Sequence, residues 1–507
     1  MSSVKILTVS SCGIEAKTVN VQVHIGNGLP QFTIVGLPDK AINESKERIR
    51  SALESIGLAL PAKRVIVNMS PADLQKEGSH YDLPIILGLL VSIEVISADS
   101  VNGYIAVGEL SLDGKINDVR GVVISAVHAL SYEGLICSTS SVKEAQWAGD
   151  LKIIAASTLT QLINHLNGHQ IQDDTFTVVD NAVKKFNVNF NEVKGHTTAK
   201  RVMEIAAAGN HHMLMIGAPG AGKSMLAARF STILPQMSAS EALETSMIYS
   251  VAGINSNGLV RDRPFRDPHH NSSVAALVGG GHRALPGEIS LAHNGVLFID
   301  EMTLWSSTVL NGLREAMETG YISIARANNH VQYPAKFQLV AAMNPCPCGK
   351  ANTNAQCRKF PICAELYMQR IPGPILDRFA LVIDVENLEP WELAEYENEK
   401  RESSEQICER VFAARVLQKK RYENLSFSYN GDASSSKMNL LCISSQAQNW
   451  LNFAAAKNQI SHRAYYNTCK VARSIADLEN VDTVNLSHIQ EAFGYLKLPQ
   501  IRKGAVG

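Results

Sequence analysis

An α/β fold, with a mixed domain before it and a helical domain after it, is predicted from three features of this 507-residue sequence. Residues 1–165 alternate strand-like and helix-like segments. Between residues 191 and 390, short apolar, β-branched runs lead into helical patterns, as buried parallel strands do. Residues 391–507 read as helical, opening on a charged helix from Glu392 to Arg421 and broken by a Ser-rich loop, Asp432–Lys437. Residues 166–190, LNGHQIQDDTFTVVDNAVKKFNVNF, are polar without a clear period and read as a linker. The length suits about three domains, and no internal repeat is visible.

Hydrophobic residues make up 45% of the chain and charged ones 19%, enough for each domain to bury a core. The net charge of −1 builds in no global attraction to nucleic acid, so such a partner would have to meet a local basic surface. The opening MSSVKILTVSSCGIEAK has no secretory apolar core or cleavage site, and the apolar stretch Leu83–Ile93 is too short to span a bilayer. A soluble, cytoplasmic protein with no membrane partner is expected.

In the front region, Phe32-Thr-Ile-Val35 reads as a strand. It leads through Gly36-Leu-Pro-Asp39 into a helix with Ile49, Ala52, Leu53 and Ile56 on one face, stopped by Gly57. Val65–Val67 and Tyr104–Val107 are further short strands.

The central region carries the chemistry. His212-Met-Leu-Met-Ile216 is apolar enough for a buried strand and runs directly into Gly217-Ala218-Pro219-Gly220-Ala221-Gly222-Lys223-Ser224, followed by the helical MLAARF. Strand, glycine loop and helix in that order let backbone N–H groups curl around phosphate in front of the helix's positive end. Lys223 is placed for the β- and γ-phosphates and Ser224 for Mg²⁺. Downstream, Gly295-Val-Leu-Phe-Ile-Asp300-Glu301 is a buried strand ending in two carboxylates. An α/β sheet places its ligand at such strand ends. Asp300 would hold Mg²⁺ and Glu301 would polarise the attacking water.

A third strand, Phe337–Ala342, ends near Asn344, either a water-orienting amide or a turn former before Pro345. In Gly373-Pro-Ile-Leu-Asp-Arg-Phe379, Arg378 has two readings. It reaches the γ-phosphate of an adjacent subunit, an arrangement worth ~10³–10⁵ in rate, or it pairs with Asp377 on its own surface. Of the nine cysteines, Cys346, Cys348, Cys357 and Cys363 crowd together. Four thiolates satisfy tetrahedral Zn²⁺, a structural clip for the loop after Asn344; the alternative is four reduced thiols. Gly320–Tyr333 alternates apolar residues around an Asn-Asn turn and reads as a β-hairpin. The Phe265–Ser273 segment, with His269 and His270, is a pore loop or an element packed behind the site's own side chains; adjacent histidines do not face one metal on a helix, so a metal site is the weaker reading.

Several stretches resemble one family: Val35-Gly-Leu-Pro38, Pro71-Ala-Asp73, Lys76-Glu-Gly78, Pro264-Phe-Arg-Asp-Pro-His-His270, Ala276-Leu-Val-Gly-Gly-Gly281, Pro286–Gly295, Asn344-Pro-Cys-Pro-Cys-Gly349 and Arg473–Leu478. Together they resemble the magnesium-chelatase-like AAA+ ATPases of the YifB/ComM group over nearly the whole chain. The resemblance implies a front domain of ribosomal-S5/Lon-protease type, a AAA+ P-loop core and a C-terminal helical lid. It also implies a hexameric ring encircling DNA, single-stranded or branched, and driving branch migration with Mg-ATP during natural transformation. By position it makes Gly217–Ser224 Walker A, Asp300 and Glu301 Walker B, Asn344 sensor 1, Arg378 the arginine finger and Arg463 the sensor-2 arginine, with Arg473 as rival. It points the hairpin into the pore, where Arg326 and His330 would touch phosphates.

The Lon likeness stops short of catalysis. His80 stands where the nucleophilic serine would be and Val123 where the lysine would be, and Ser79, one residue away, has no base partner. A regulated protease is therefore disfavoured. The remaining alternative to a DNA motor is a chelatase-like motor that remodels a protein, which is expected to lack such a front domain.

Overall fold

The computed structural model describes residues 3–496 apart from 75, 170–187, 255–258, 282–283, 326–329, 349–361, 389–390 and 392–400. The front domain is one mixed sheet wrapped around a buried helix. Its elements are β1 (Val4–Cys12), β2 (Glu15–Gly26), β3 (Gln31–Val35), α1 (Lys40–Ser55), β4 (Arg64–Ser70), α2 (Asp82–Ser92), β5 (Tyr104–Ala106), α3 (Val122–Ala129), β6 (Gly134–Ser138), β7 (Ile153–Ala156) and α4 (Leu159–Leu166). The strand order is β3-β4-β2-β1-β5-β6-β7. The apolar stretch Leu83–Ile93 is α2, which is buried on nearly every side because it lies between the sheet and α1. Gly88 lets it approach the sheet, since a Cβ there would sit 2.5 Å from Val23. Asp39 caps α1 by accepting from the Ile42 amide at 2.8 Å, as the Gly-Leu-Pro-Asp turn leads one to expect.

The fully buried Asp82 at the start of α2 accepts from Arg48 Nε at 2.6 Å and Nη2 at 3.0 Å, from the Ser45 hydroxyl and from the Leu110 amide at 3.2 Å. It ties α1, α2 and the short strand Glu109–Leu110 into one unit.

The central domain runs α5 (Thr197–Gly209), β8 (Met213–Gly217), α6 (Lys223–Phe230), α7 (Ala239–Ala252), β9 (Phe265–Arg266), β10 (Val296–Ile299), α8 (Ser307–Thr319), β11 (Tyr321–Ala325), β12 (His330–Pro334), β13 (Gln338–Met343) and β14 (Leu381–Val385). Five strands form a wholly parallel sheet, β9-β10-β13-β8-β14, while β11 and β12 pair as a separate antiparallel hairpin. Side chains alternate across the sheet: Met213 and Met215 of β8 face α5 and the C-terminal helices, while Leu214 and Ile216 face α8 and the hairpin.

The C-terminal domain is α9 (Ser404–Arg421), α10 (Ser445–Asn458), α11 (His462–Leu478) and α12 (Leu486–Gly494). Its apolar face is continuous with the core over α5. Arg201 reaches Glu491 at 3.0 Å and Arg410 reaches Glu204 at 2.5 Å across the junction.

Three sequence expectations need adjusting. Phe190, taken as the end of the linker, is buried in the central core. The expected helix from Glu392 starts, among the described residues, at Ser404, where Ser403 and Gln406 form a capping box after non-helical Arg401–Ser403; residues 392–400 lie outside the description. The Ser-rich loop is held in two tight 3₁₀ turns, Asn430–Asp432 and Ser435–Leu441, with Asn430 buried against Ser474 and Asp477.

Removing one side of the buried Asp82–Arg48 pair strands polar atoms in the core. Asp82→Ala is expected to lower the stability of the front domain by about 3 kcal/mol, read by urea unfolding of the full chain.

Candidate active site

The residues expected to bind nucleotide gather where β8, β10 and β13 end, on the same edge of the sheet. Gly220 and Gly222 both sit at φ +84°, the left-handed conformation that turns successive amides inward. Gly217 must lack a side chain, since a Cβ would lie 2.4 Å from the Val385 carbonyl oxygen of β14.

Lys223 begins α6 and folds back over the loop, its ammonium donating to the carbonyls of Gly217 at 2.8 Å and Ala218 at 2.9 Å and to Asn344 Oδ1 at 3.1 Å. Burial pushes its pKa down, opposed by Asp300 and Glu301. The Ser224 hydroxyl donates to Asp300 Oδ2 at 3.0 Å. Those two oxygens would flank a Mg²⁺ ion, and hard oxygen donors fit it. Asp300 is fixed by its neighbours: its Oδ1 accepts from the Glu301 amide at 2.8 Å, and its carbonyl accepts from Trp305 Nε1 at 2.9 Å.

Glu301 adopts φ +46°, an unusual backbone for a non-glycine residue and one found at working sites. His270 Nδ1 stands 4.0 Å from its carboxylate, and burial together with Asp300 raises the Asp267 pKa. The Phe265–Ser273 segment thus lies beside the carboxylates, because β9 pairs with β10 and Arg266 is locked to Glu288 at 2.6 Å. A cavity of about 550 Å³ opens beside the glycine loop, lined by His196, Pro219, Gly222, Met225, Asn387 and Leu388 among others.

Arg378 and Arg463 are elsewhere. They line a second cavity, about 1210 Å³, together with His212, Arg415 and Lys470, and none of Gly217–Ser224 lines it. His212 immediately precedes β8, whereas the glycine loop follows it, so the two groups sit at opposite ends of that strand, roughly 15 Å apart. Burial and then Arg463 and Arg378 push the His212 pKa down to about 4. Arg378 is buried, pairs with Glu318 rather than with Asp377, and is pushed down to about 10 by burial and by Arg463 and Arg314; its Nε has no hydrogen-bond partner among the described residues. Arg473, the rival of Arg463, is spent inside the C-terminal domain on Asp477 and on the carbonyls of Val481 and Asp482. Glu318 and Arg314 carried no sequence signal, being two charges on an exposed helix face.

The sulfur atoms of Cys346, Cys348 and Cys363 lie within 4.8 Å of one another. Three thiols at that spacing fit a thiophilic ion such as Zn²⁺; Cys357 lies outside the described residues. His330 is exposed at the start of β12, and Arg326 lies outside the described residues. In the front domain Ser79 donates to Glu109, while burial lowers the pKa of His80, which donates to the Val9 carbonyl at 2.9 Å. Lys76 is turned to the Pro71 carbonyl, and Val123, at the position where the resemblance would put a lysine, is fully buried.

Residues 189–393 match the family model described as magnesium chelatase, subunit ChlI. Residues 21–140 match subunit ChlI of Mg-chelatase, and 401–496 its C-terminal part. Competence protein ComM of Haemophilus influenzae is 39% identical across 98% of this chain and 97% of its own length. The chain belongs to the magnesium-chelatase ChlI-like family. YifB of Escherichia coli is likewise 39% identical, over 97% of each chain. The magnesium-chelatase 67 kDa subunit of Chlorobaculum parvum is 25% identical over 31% of this chain and 23% of its own. As a ChlI-like protein it is an AAA-type ATPase with an N-terminal ChlI domain, and ATP with Mg²⁺ is the nucleotide the family implies. Because the front domain itself matches a model named for the chelatase subunit, its presence does not separate a DNA motor from a chelatase-like one. No helix among the described residues is long and apolar enough to cross a membrane.

The cysteine cluster makes a direct prediction. Purified protein should carry about one zinc per chain, and Cys346→Ser together with Cys348→Ser should reduce it to background by elemental analysis. Glu301→Gln should retain ATP while turnover falls by about a hundredfold or more, read by filter binding beside phosphate release.

Proposed function

We propose that this chain is a Mg-ATP-driven ring motor, a hexamer that moves DNA and migrates branched junctions in homologous recombination during natural transformation. One observation carries the assembly: Arg378 and Arg463 stand at the end of β8 away from their own glycine loop. Guanidiniums so placed serve a triphosphate only if it belongs to a neighbour. Asn344, already on Lys223, would orient the water that Glu301 polarises. Mg²⁺ between Ser224 and Asp300 would supply charge neutralisation at the β- and γ-phosphates. Lys223 would trade its loop carbonyls for those phosphates, and Arg378 would leave Glu318 to meet the charge developing next door.

The DNA part draws on the competence protein among the relatives and on the β11–β12 hairpin, with His330 as a phosphate contact, and with Arg326, between the two strands in sequence, as the other. The front domain is read as a ribosomal-S5/Lon-type fold without its protease function, and the cell compartment as the cytoplasm. A motor acting on a protein client remains the second reading, favoured by the family model's own description.

The deciding experiment measures ATP turnover with and without forked DNA across a salt series, then migration of a three-strand junction, with Lys223→Ala as control. Stimulation that fades with salt, and junction migration abolished in the control, are expected. Turnover indifferent to DNA at low salt points to the protein client.

A further inference from the structure

Among the described residues the front domain meets the ATPase core at the hairpin and at the end of α7. At the turn between β1 and β2, the Cys12 thiol donates to the His330 carbonyl at 3.6 Å. Gly13, buried at φ +68°, comes so near that a Cβ there would lie 2.7 Å from the Gln332 carbonyl oxygen and 3.0 Å from Val331 Cγ1. Cys12 and Ile14 pack on the cluster that contains Ile322, Ile324, Val331 and Tyr333 of the hairpin. This is the half of β12 nearest the turn, since His330 pairs with Ala325.

The buried face of β12 has a further anchor within the core. The Tyr333 hydroxyl donates to the Ala284 carbonyl at 2.9 Å. The second junction between the domains lies at the end of α7. There the Gly121 amide donates to the Ser250 hydroxyl at 3.1 Å, that hydroxyl donates to Glu144, and Arg120 lies against Gly253. Two junctions on separate elements of the core set the orientation of the front domain, where one would leave a hinge.

The hairpin needs such support. A two-stranded ribbon is marginal alone in water. This one buries a single face, while Tyr321, Ser323, Ala325, His330 and Gln332 are exposed. Load applied at its turn would bend it away from the core unless something stood behind β12. Gly13 stands there, and its missing side chain is required both by its backbone conformation and by the carbonyl against it.

We propose that the β1–β2 turn is a brace for the hairpin, with Gly13 and Ile14 as positioning residues that hold β12 and its His330 at the DNA. The front domain then has a mechanical task in place of proteolysis. This rests on the reading of the chain as a DNA motor, with the hairpin as its DNA contact.

Two variants of the full chain test it. Gly13→Val pushes a side chain into the Gln332 carbonyl, and Ile14→Ala removes an apolar contact without adding bulk, so the second decides should the first misfold by thermal melting. Neither residue touches the nucleotide-binding groups. Basal ATP turnover is expected to stay within about twofold of wild type. The concentration of forked DNA giving half-maximal stimulation should rise by about tenfold for Gly13→Val, and in the same direction for Ile14→Ala. The brace is overturned if folded variants saturate at the wild-type DNA concentration, or if basal and stimulated rates fall together. Wild-type turnover that ignores DNA overturns the motor reading itself, and the brace with it.

Discussion

The length of β8 governs how this molecule can work. One end of that strand carries the glycine loop, and the other opens on the cavity holding Arg378 and Arg463. A parallel strand buried on both faces cannot be shortened or tilted without losing its pairing to β13 and β14. The cations are therefore held at a fixed remove from the phosphates that their own chain binds. Like charges gathered in a half-buried cavity are unfavourable unless something anionic answers them. Arg378, depressed in pKa by burial and by Arg463 and Arg314, is paired with Glu318, and its Nε has no hydrogen-bond partner among the described residues. On the proposed reading the arrangement is that of half a site.

The other half is built for exchange. Lys223 is satisfied by two carbonyls and Asn344, and Ser224 by Asp300, so these side chains that would meet Mg-ATP have substitute partners within their own chain. This avoids stranded polar atoms in the nucleotide-free state. It also links the lysine to the strand end that carries Asn344, so nucleotide entry must disturb β13 as well as the loop.

Much of this was legible in the chain. The strand–glycine–helix grammar at 212–230 and the acidic end of Val296–Ile299 fixed which residues converge, because local backbone requirements and chemistry coincide there. The hairpin was readable from its alternation, and α1 from its cap and apolar face. Other features depended on distant partners. Nothing in the sequence of α8 marks Glu318 as the mate of Arg378, and Arg463 and Arg473 differ only in what packs around them: Arg473 faces Asp477 and backbone carbonyls, Arg463 the cavity. The Pro264–His270 stretch was visible as a motif, yet its place beside Asp300 and Glu301 follows from β9 pairing with β10. The contact of Gly13 with β12 joins residues more than three hundred positions apart, and no local pattern announces it.

The central claim is that each working site is shared between two copies of the chain. Mixing two separately inactive proteins, Lys223→Ala and Arg378→Ala, and following ATP turnover tests it most directly. In mixed assemblies some junctions unite an intact glycine loop with an intact Arg378. The account predicts that activity reappears on mixing, to about a quarter of the wild-type rate for random pairing. Mixed assemblies that form and remain as inactive as either parent would contradict it.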